Sequence, residues 1–220
     1  MKNDILKIVD STKSGRIGKI CSLIKRDYFF QERDDISNII IPAKNQKNKI
    51  VVMAHHDVFP GSKGFNDNST GVVTLLELQD VVSDNVEFVF TDGEERGGRG
   101  CNLYLEKSSE IRFAINLDVV GLGNKIFYEA YGPRGKIKIG KEKMEYYKGI
   151  PFSDSYILKD FGVPNILMLT GSSSKNLIRD IFNAQHRGCN DGRFDLIQDE
   201  VMNKVFSTTL RIIKMNGGDQ

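Results

Sequence analysis

The sequence predicts an α/β fold, a three-layer sandwich in which a mixed, mostly parallel central sheet carries helices on both faces. Three observations carry that expectation. Apolar runs of strand length recur at residues 50–54 (IVVMA), at Val86, Phe88 and Phe90, at 113–117 (FAINL) and at 165–169 (NILML). Between them lie stretches with helical spacing, such as Val72, Leu75, Leu76 and Leu78, and alternation of the two patterns is what a sheet layered with crossover helices produces. The chain of 220 residues is long enough for one substantial core, and no repeat, low-complexity tract or linker divides it. Residues 1–220 are therefore expected to form a single domain.

In chain order, residues 4–28 read as helical, with Ile17, Ile20, Cys21 and Ile24 on one face and a break near 11–15. Residues 38–43 (NIIIPA) and 50–54 flank the polar turn NQKNK and read as a hairpin. After a Gly/Asn-rich turn a helix starts near Ser69 or Thr70, both good capping residues. The strand of Val86, Phe88 and Phe90 runs out into TDGEERGGRG, and residues 102–105 belong to a short helix. The strand at 113–117 ends at Asp118, and 126–131 (IFYEAY) is a further strand. The Lys-rich piece 132–148 reads as solvated strand and turn, or as a short helix. A short helix over 154–161 precedes the strand at 165–169, and 175–182 is helical or irregular. The last helix begins near Asp199 and carries Val201, Val205, Thr209, Ile212 and Ile213 on its apolar face.

A net charge of +2 gives no reason to expect nucleic acid or an anionic membrane as partner. No apolar stretch approaches the roughly 20 residues of a membrane span, and the amino terminus lacks the apolar region of a signal peptide. Cys21, Cys101 and Cys189 are odd in number and far apart, which fits reduced thiols and a cytoplasmic protein, or a secreted one if a leader was removed.

The chemistry concentrates in residues 54–71, AHHDVFPGSKGFNDNSTG. His55 and Asp57 stand two apart at the end of an apolar strand, where side chains share a face, and a carboxylate holding one imidazole nitrogen makes the other a good metal ligand. Glu94, Glu95 and Asp118 also lie at or just past strand ends, while Asp67 and His186 lie in polar loops. Ligand sites in open α/β sheets form outside the carboxyl ends of the strands, so these loops can converge. Two imidazoles and several carboxylates without thiolate suit zinc, manganese or cobalt in a hydrolytic site. Taken singly, an HxD at a strand end, an acidic pair or a loop histidine is more often structural than catalytic.

The order HHD, GFNDNSTGV, FTDGEERGGRG, NLDVVG, PFSDS and a late histidine resembles the di-zinc aminopeptidase family, the leucyl-aminopeptidase-like zinc exopeptidases, over roughly residues 50–195. The resemblance implies the zinc exopeptidase fold, two Zn²⁺ ions (Co²⁺ or Mn²⁺ as substitutes) and hydrolysis of the amino-terminal bond of a peptide substrate. It implies that His55 and Asp118 hold the first ion, Glu95 and His186 the second, and that Asp67 bridges them. Asp57 then orients His55, Glu94 is the general base, and Asp154 stands on the substrate side. A cis peptide after Asp67 is implied as well.

The sequence departs from that pattern in three places. His56 stands where relatives often carry an aromatic, and on a strand it points away from His55. Ser155 follows Asp154 where many relatives place a histidine. RGCND follows His186 where Ser or Thr is usual. Other functions are a glutaminyl-peptide cyclotransferase with one zinc, against which the presence of His55 argues, a carboxypeptidase or deacylase with an inserted lid, for which the chain is too short, and a non-catalytic binding module. Phe59, Tyr128 and Phe152 are the candidates for setting substrate preference. Oligomeric state is not legible in the sequence.

Overall fold

A computed structural model describes every residue except 11, 83, 109, 134–136, 141–143, 185–190 and 218–220. The strands described are β1 (Phe29–Arg33), β2 (Ile36–Ile41), β3 (Lys49–His55), β4 (Val86–Thr91), β5 (Ile111–Leu117), β6 (Lys125–Tyr131), β7 (Met144–Tyr146) and β8 (Asn165–Gly171). They form one sheet in the order β1-β2-β4-β3-β5-β8-β6-β7. The four central strands, β4, β3, β5 and β8, run parallel, and β2 and β6 join them antiparallel on either side.

The reason β3 sits at the centre is its composition. Every residue of the strand is buried, and the two faces are both apolar. Ile50, Val52 and Ala54 face a core built with helices α1 (Lys2–Ile8), α2 (Lys13–Leu23), α3 (Thr70–Leu78) and α7 (Asp199–Met215). Val51 and Met53 face a second core with α4 (Arg99–Lys107) and α5 (Asp154–Asp160). A third cluster packs Leu177 and Ile181 of α6 (Leu177–Ala184) on Leu167 and Leu169 of β8. Helices thus cover both faces, as expected.

The hairpin expected between residues 38–43 and 50–54 does not form. β2 pairs instead with β1, through the two-residue turn Asp34-Asp35, and with β4 on its other side. A strand apolar on both faces gains more from parallel neighbours under two helix layers than from an edge hairpin, so β4 is inserted between β2 and β3. Residues 4–28 divide into two helices, with the break at 9–12 rather than 11–15, and β1 follows. The expected caps also differ: Ser69 is already in helical conformation and has no capping bond, because a helical turn at Phe65–Ser69 precedes α3. In the Lys-rich piece β7 occupies Met144–Tyr146. None of the described helices is long and apolar enough to cross a membrane.

The chain leaves β3 to one side to form β4 and then crosses to the other side to form β5. That reversal opens a crevice at the carboxyl end of β3, the place where α/β sheets bind ligands.

Candidate metal centre

His55 is the last residue of β3 and lies in that crevice. Its Nε2 is 3.0 Å from Asp67 Oδ1 and 3.5 Å from Asp118 Oδ1, while Nδ1 is 3.2 Å from the Asp57 carbonyl oxygen and 3.3 Å from Asp57 Oδ1. One donor atom each from His55, Asp67 and Asp118 lies within 4.8 Å of the other two, and all three residues are buried. His55 Nε2 is buried without a hydrogen bond of good geometry. An imidazole nitrogen so placed between two carboxylates, with its partner nitrogen turned to a carboxylate and a carbonyl, is a donor set that fits a divalent cation.

Asp57 does more than face His55. Its Oδ1 accepts from the Glu94 backbone N–H (3.1 Å) and its Oδ2 from that of Glu95 (3.2 Å). The acidic pair follows β4 through Gly93, whose φ of 72° is the left-handed conformation glycine adopts at no steric cost. Burial pushes Glu94 well above the ordinary carboxylate value, with the charges of Asp118, Asp154 and Asp67 acting the same way. Burial opposes a charge on His55, but bonding to Asp118, Asp57 and Asp67 prevails and raises it well above an ordinary histidine. Exchange of Asp57 for Asn keeps its shape, removes the anion, and turns an amide donor toward His55 or the two backbone N–H groups. Metal affinity is expected to fall by about 10- to 100-fold, measured by competition with a chromogenic chelator.

Asp67 and Asp118 come from separate loops, and the residues that join them did not stand out in the sequence. Asn68 Nδ2 donates to the Leu117 carbonyl (2.8 Å), and Asn68 Oδ1 accepts from Val119 N–H (3.3 Å), so one amide grips the chain on both sides of Asp118. Thr70 Oγ1 accepts from Val120 N–H (3.1 Å) and Asn66 Oδ1 from Gly121 N–H (2.8 Å). NDNST and NLDVVG are therefore two halves of one seam. The Asp67–Asn68 peptide is cis. Gly71 belongs to the same seam: a Cβ there would stand 2.5 Å from Asn68 Oδ1 and 2.7 Å from the Leu117 carbonyl. Alanine's better helix propensity, about 1 kcal/mol, is smaller than such a clash against backbone. Gly71→Ala is expected to destabilise the protein by about 1–3 kcal/mol in urea unfolding.

Asp191 is the other residue the sequence did not flag. It is buried, accepts from the N–H groups of Asn66 (2.7 Å) and Asp67 (3.3 Å) at Oδ1 and from Ser62 Oγ (2.8 Å) at Oδ2, and burial pushes it up to about 7. His186, the expected last ligand, and Cys189 lie outside the described residues, five and two positions before Asp191. His56 is buried with Nε2 at 2.9 Å from the Ser37 carbonyl, turned away from the cluster as expected.

Asp154 is fully enclosed at the start of α5, accepts from Thr91 Oγ1 at 2.5 Å, and is pushed up to about 7 by burial, against that bond. Its charge acts on Glu94, and the cavity is lined by its neighbour Ser153 rather than by Asp154 itself. The cavity itself, about 310 Å³, is lined by the carboxylates of Asp67, Glu94, Glu95 and Asp118 and by the apolar side chains of Val119, Ile150, Phe152, Leu167, Leu169 and Ile181. Of the three aromatics considered, Phe152 lines this cavity, Phe59 lines a separate one, and Tyr128 packs on Tyr146.

A crevice at a strand reversal, a histidine between two aspartates, and a glutamate pair on a shared carboxylate are the marks of a metallohydrolase site. The chain belongs to peptidase family M28, whose match covers residues 38–176. Aminopeptidase Y of Saccharomyces cerevisiae is 27% identical over 168 residues, 64% of this chain and 31% of the relative. The chain spans less than a third of the length of the curated relatives it matches first. Among solved structures, the Legionella pneumophila LapA aminopeptidase superposes with a TM-score of 0.76 at 16% identity, covering 100% of this chain and 73% of that one. Porphyromonas gingivalis glutaminyl cyclase gives 0.68 at 18%, covering 97% and 95%. These likenesses show the fold.

Proposed function

We propose that the protein is a di-zinc aminopeptidase whose catalytic domain comprises residues 1–220. The observation that carries this reading is that Asp67 and Asp118, grouped with His55, share the wall of one largely apolar cavity with the Glu94-Glu95 pair. In this reading His55 and Asp118 hold one ion, Glu95 and His186 hold the other, and Asp67 serves both. Two such cations, when bound, lower the pKa of a water between them and polarise the scissile carbonyl.

The protein's own groups do the rest. Glu94, raised by burial, takes the proton of the attacking water and delivers it to the leaving amine. Asp57 keeps the His55 ring turned and the Glu94 and Glu95 backbones in place. The carboxylates in the cavity wall attract the α-ammonium of a peptide, and the apolar part of the lining accepts its first side chain. An apolar amino-terminal residue is therefore the favoured substrate.

The cyclotransferase remains the second reading because the Porphyromonas gingivalis cyclase matches nearly end to end. One experiment separates the two. Protein reconstituted with zinc and cleared of excess is assayed for metal by plasma mass spectrometry, then offered leucyl, lysyl and glutaminyl peptides. Two ions per chain with fastest hydrolysis of the leucyl peptide supports the aminopeptidase. One ion, with ammonia released from the glutaminyl peptide, supports the cyclase, and no bound metal overturns both.

A further inference from the structure

β1 is the terminal strand on one side of the sheet. Among the described residues, β1 has β2 on one side and no strand on the other. Three consecutive aromatics lie at this edge, Tyr28, Phe29 and Phe30, each between 39% and 48% exposed. Soluble proteins seldom leave a cluster of large apolar side chains on an open strand edge, because such an edge is a template for another strand.

The hairpin parity says which backbone groups are available. Arg33 and Ile36 flank the two-residue turn and face each other, which makes them a hydrogen-bonded pair. Alternation then turns Gln31 and Phe29 toward β2 and leaves the N–H and C=O of Phe30 and Glu32 pointing outward.

Charge selects the partner and the register. Around the aromatics the sequence reads RDYFFQERDD from Arg26 to Asp35. When two copies meet antiparallel with Phe30 opposite Phe30, outward-facing residues oppose outward-facing ones. Asp27 then meets the partner's Arg33, and Arg26 meets the partner's Asp34, each contact occurring twice by symmetry. Shifting the centre to Gln31 sets Asp27 against Asp35; shifting it to Phe29 sets Lys25 against Arg33. The Phe29-centred register also pairs Arg26 with Glu32, so the Phe30-centred register is the one of these three that matches opposite charges with no like-charge contact. Asp27 is exposed, and Arg33 binds Glu106 at 2.6 Å, which leaves donors on its guanidinium for a second carboxylate.

We propose that the protein forms a two-fold symmetric dimer through antiparallel β1–β1 pairing centred on Phe30, which joins the two sheets into one. The pairing uses up the β1 edge of each copy, so this two-fold interface closes at the dimer.

Sedimentation velocity over a range of concentrations tests this, with circular dichroism as a check on folding. The parent is expected to reach twice 24.8 kDa. Phe30→Pro removes an outward N–H at an edge where proline is tolerated and is expected to leave folded monomers. Asp27→Arg sets like charges against the partner's Arg33 twice and is expected to weaken the dimer by about tenfold or more. The double variant Asp27→Arg/Arg33→Asp restores opposite charges and is expected to recover dimerisation. A parent that stays monomeric at all concentrations, or that grows past the dimer, overturns the proposal. A dimer unchanged in Phe30→Pro overturns β1 as the interface, and a double variant no better than Asp27→Arg overturns the register.

Discussion

Replacing Glu94 by Gln is expected to slow peptide hydrolysis by between about 10²- and 10⁴-fold, with bound metal unchanged. The side chain is enclosed beside Asp118, Asp154 and Asp67, and its elevated affinity for a proton suits a group that must take one from water and give it up again. Glutamine has the same shape, and the bond that positions residue 94 comes from its backbone N–H to Asp57, which the exchange leaves alone. The loss should therefore fall on kcat, with KM little changed. Single-turnover hydrolysis of a leucyl peptide, paired with metal analysis of the same sample, measures both. Parental turnover in this variant would remove Glu94 from the chemistry.

Asp67→Asn is expected to have the largest effect of any exchange in the site. Asp67 is the carboxylate nearest His55 Nε2, at 3.0 Å against 3.5 Å for Asp118, and it lines the cavity with Glu94 and Glu95. Bound zinc is expected to fall below one ion per chain after dialysis, and hydrolysis to fall by at least about 10³-fold, the equivalent of roughly 4 kcal/mol. The metal-free form should unfold at no lower urea concentration than the parent, since the exchange takes one negative charge away from Asp118, Glu94 and Asp191. Loss of metal without loss of stability separates a ligand from a structural residue. A variant that kept both ions would rule out the bridging role.

The parts of this molecule that were legible in the sequence are those governed by local pattern. IVVMA could only be a strand buried on both faces, and residues set at the ends of such strands had to lie along one rim of the sheet. The three-layer architecture followed from the same alternation. Strand partners did not, because pairing is decided by layers hundreds of bonds away: β4 displaces β3 from beside β2, and nothing near residue 44 records it. β1 was missed because YFFQER is exposed on both faces apart from Gln31 and shows no period of two. Within the site, His55, Asp57, Asp67, Glu94, Glu95 and Asp118 were recognisable as titratable groups at strand ends and loops. Asn66, Asn68 and Asp191 looked like ordinary turn residues and Thr70 like a helix cap, since their partners lie 49 to 125 positions away.

The double grip of Asp57 has a consequence for motion. Because a single carboxylate faces the ring of His55 and also holds the amides of Glu94 and Glu95, thermal displacement of the β3 terminus carries the histidine and the glutamates in the same direction. Fluctuation of this kind is common-mode: it moves the assembly and cancels in the distances between its members. A hydrolytic centre depends on those distances and not on its position in the molecule, so it can keep its spacing while the loops around it breathe.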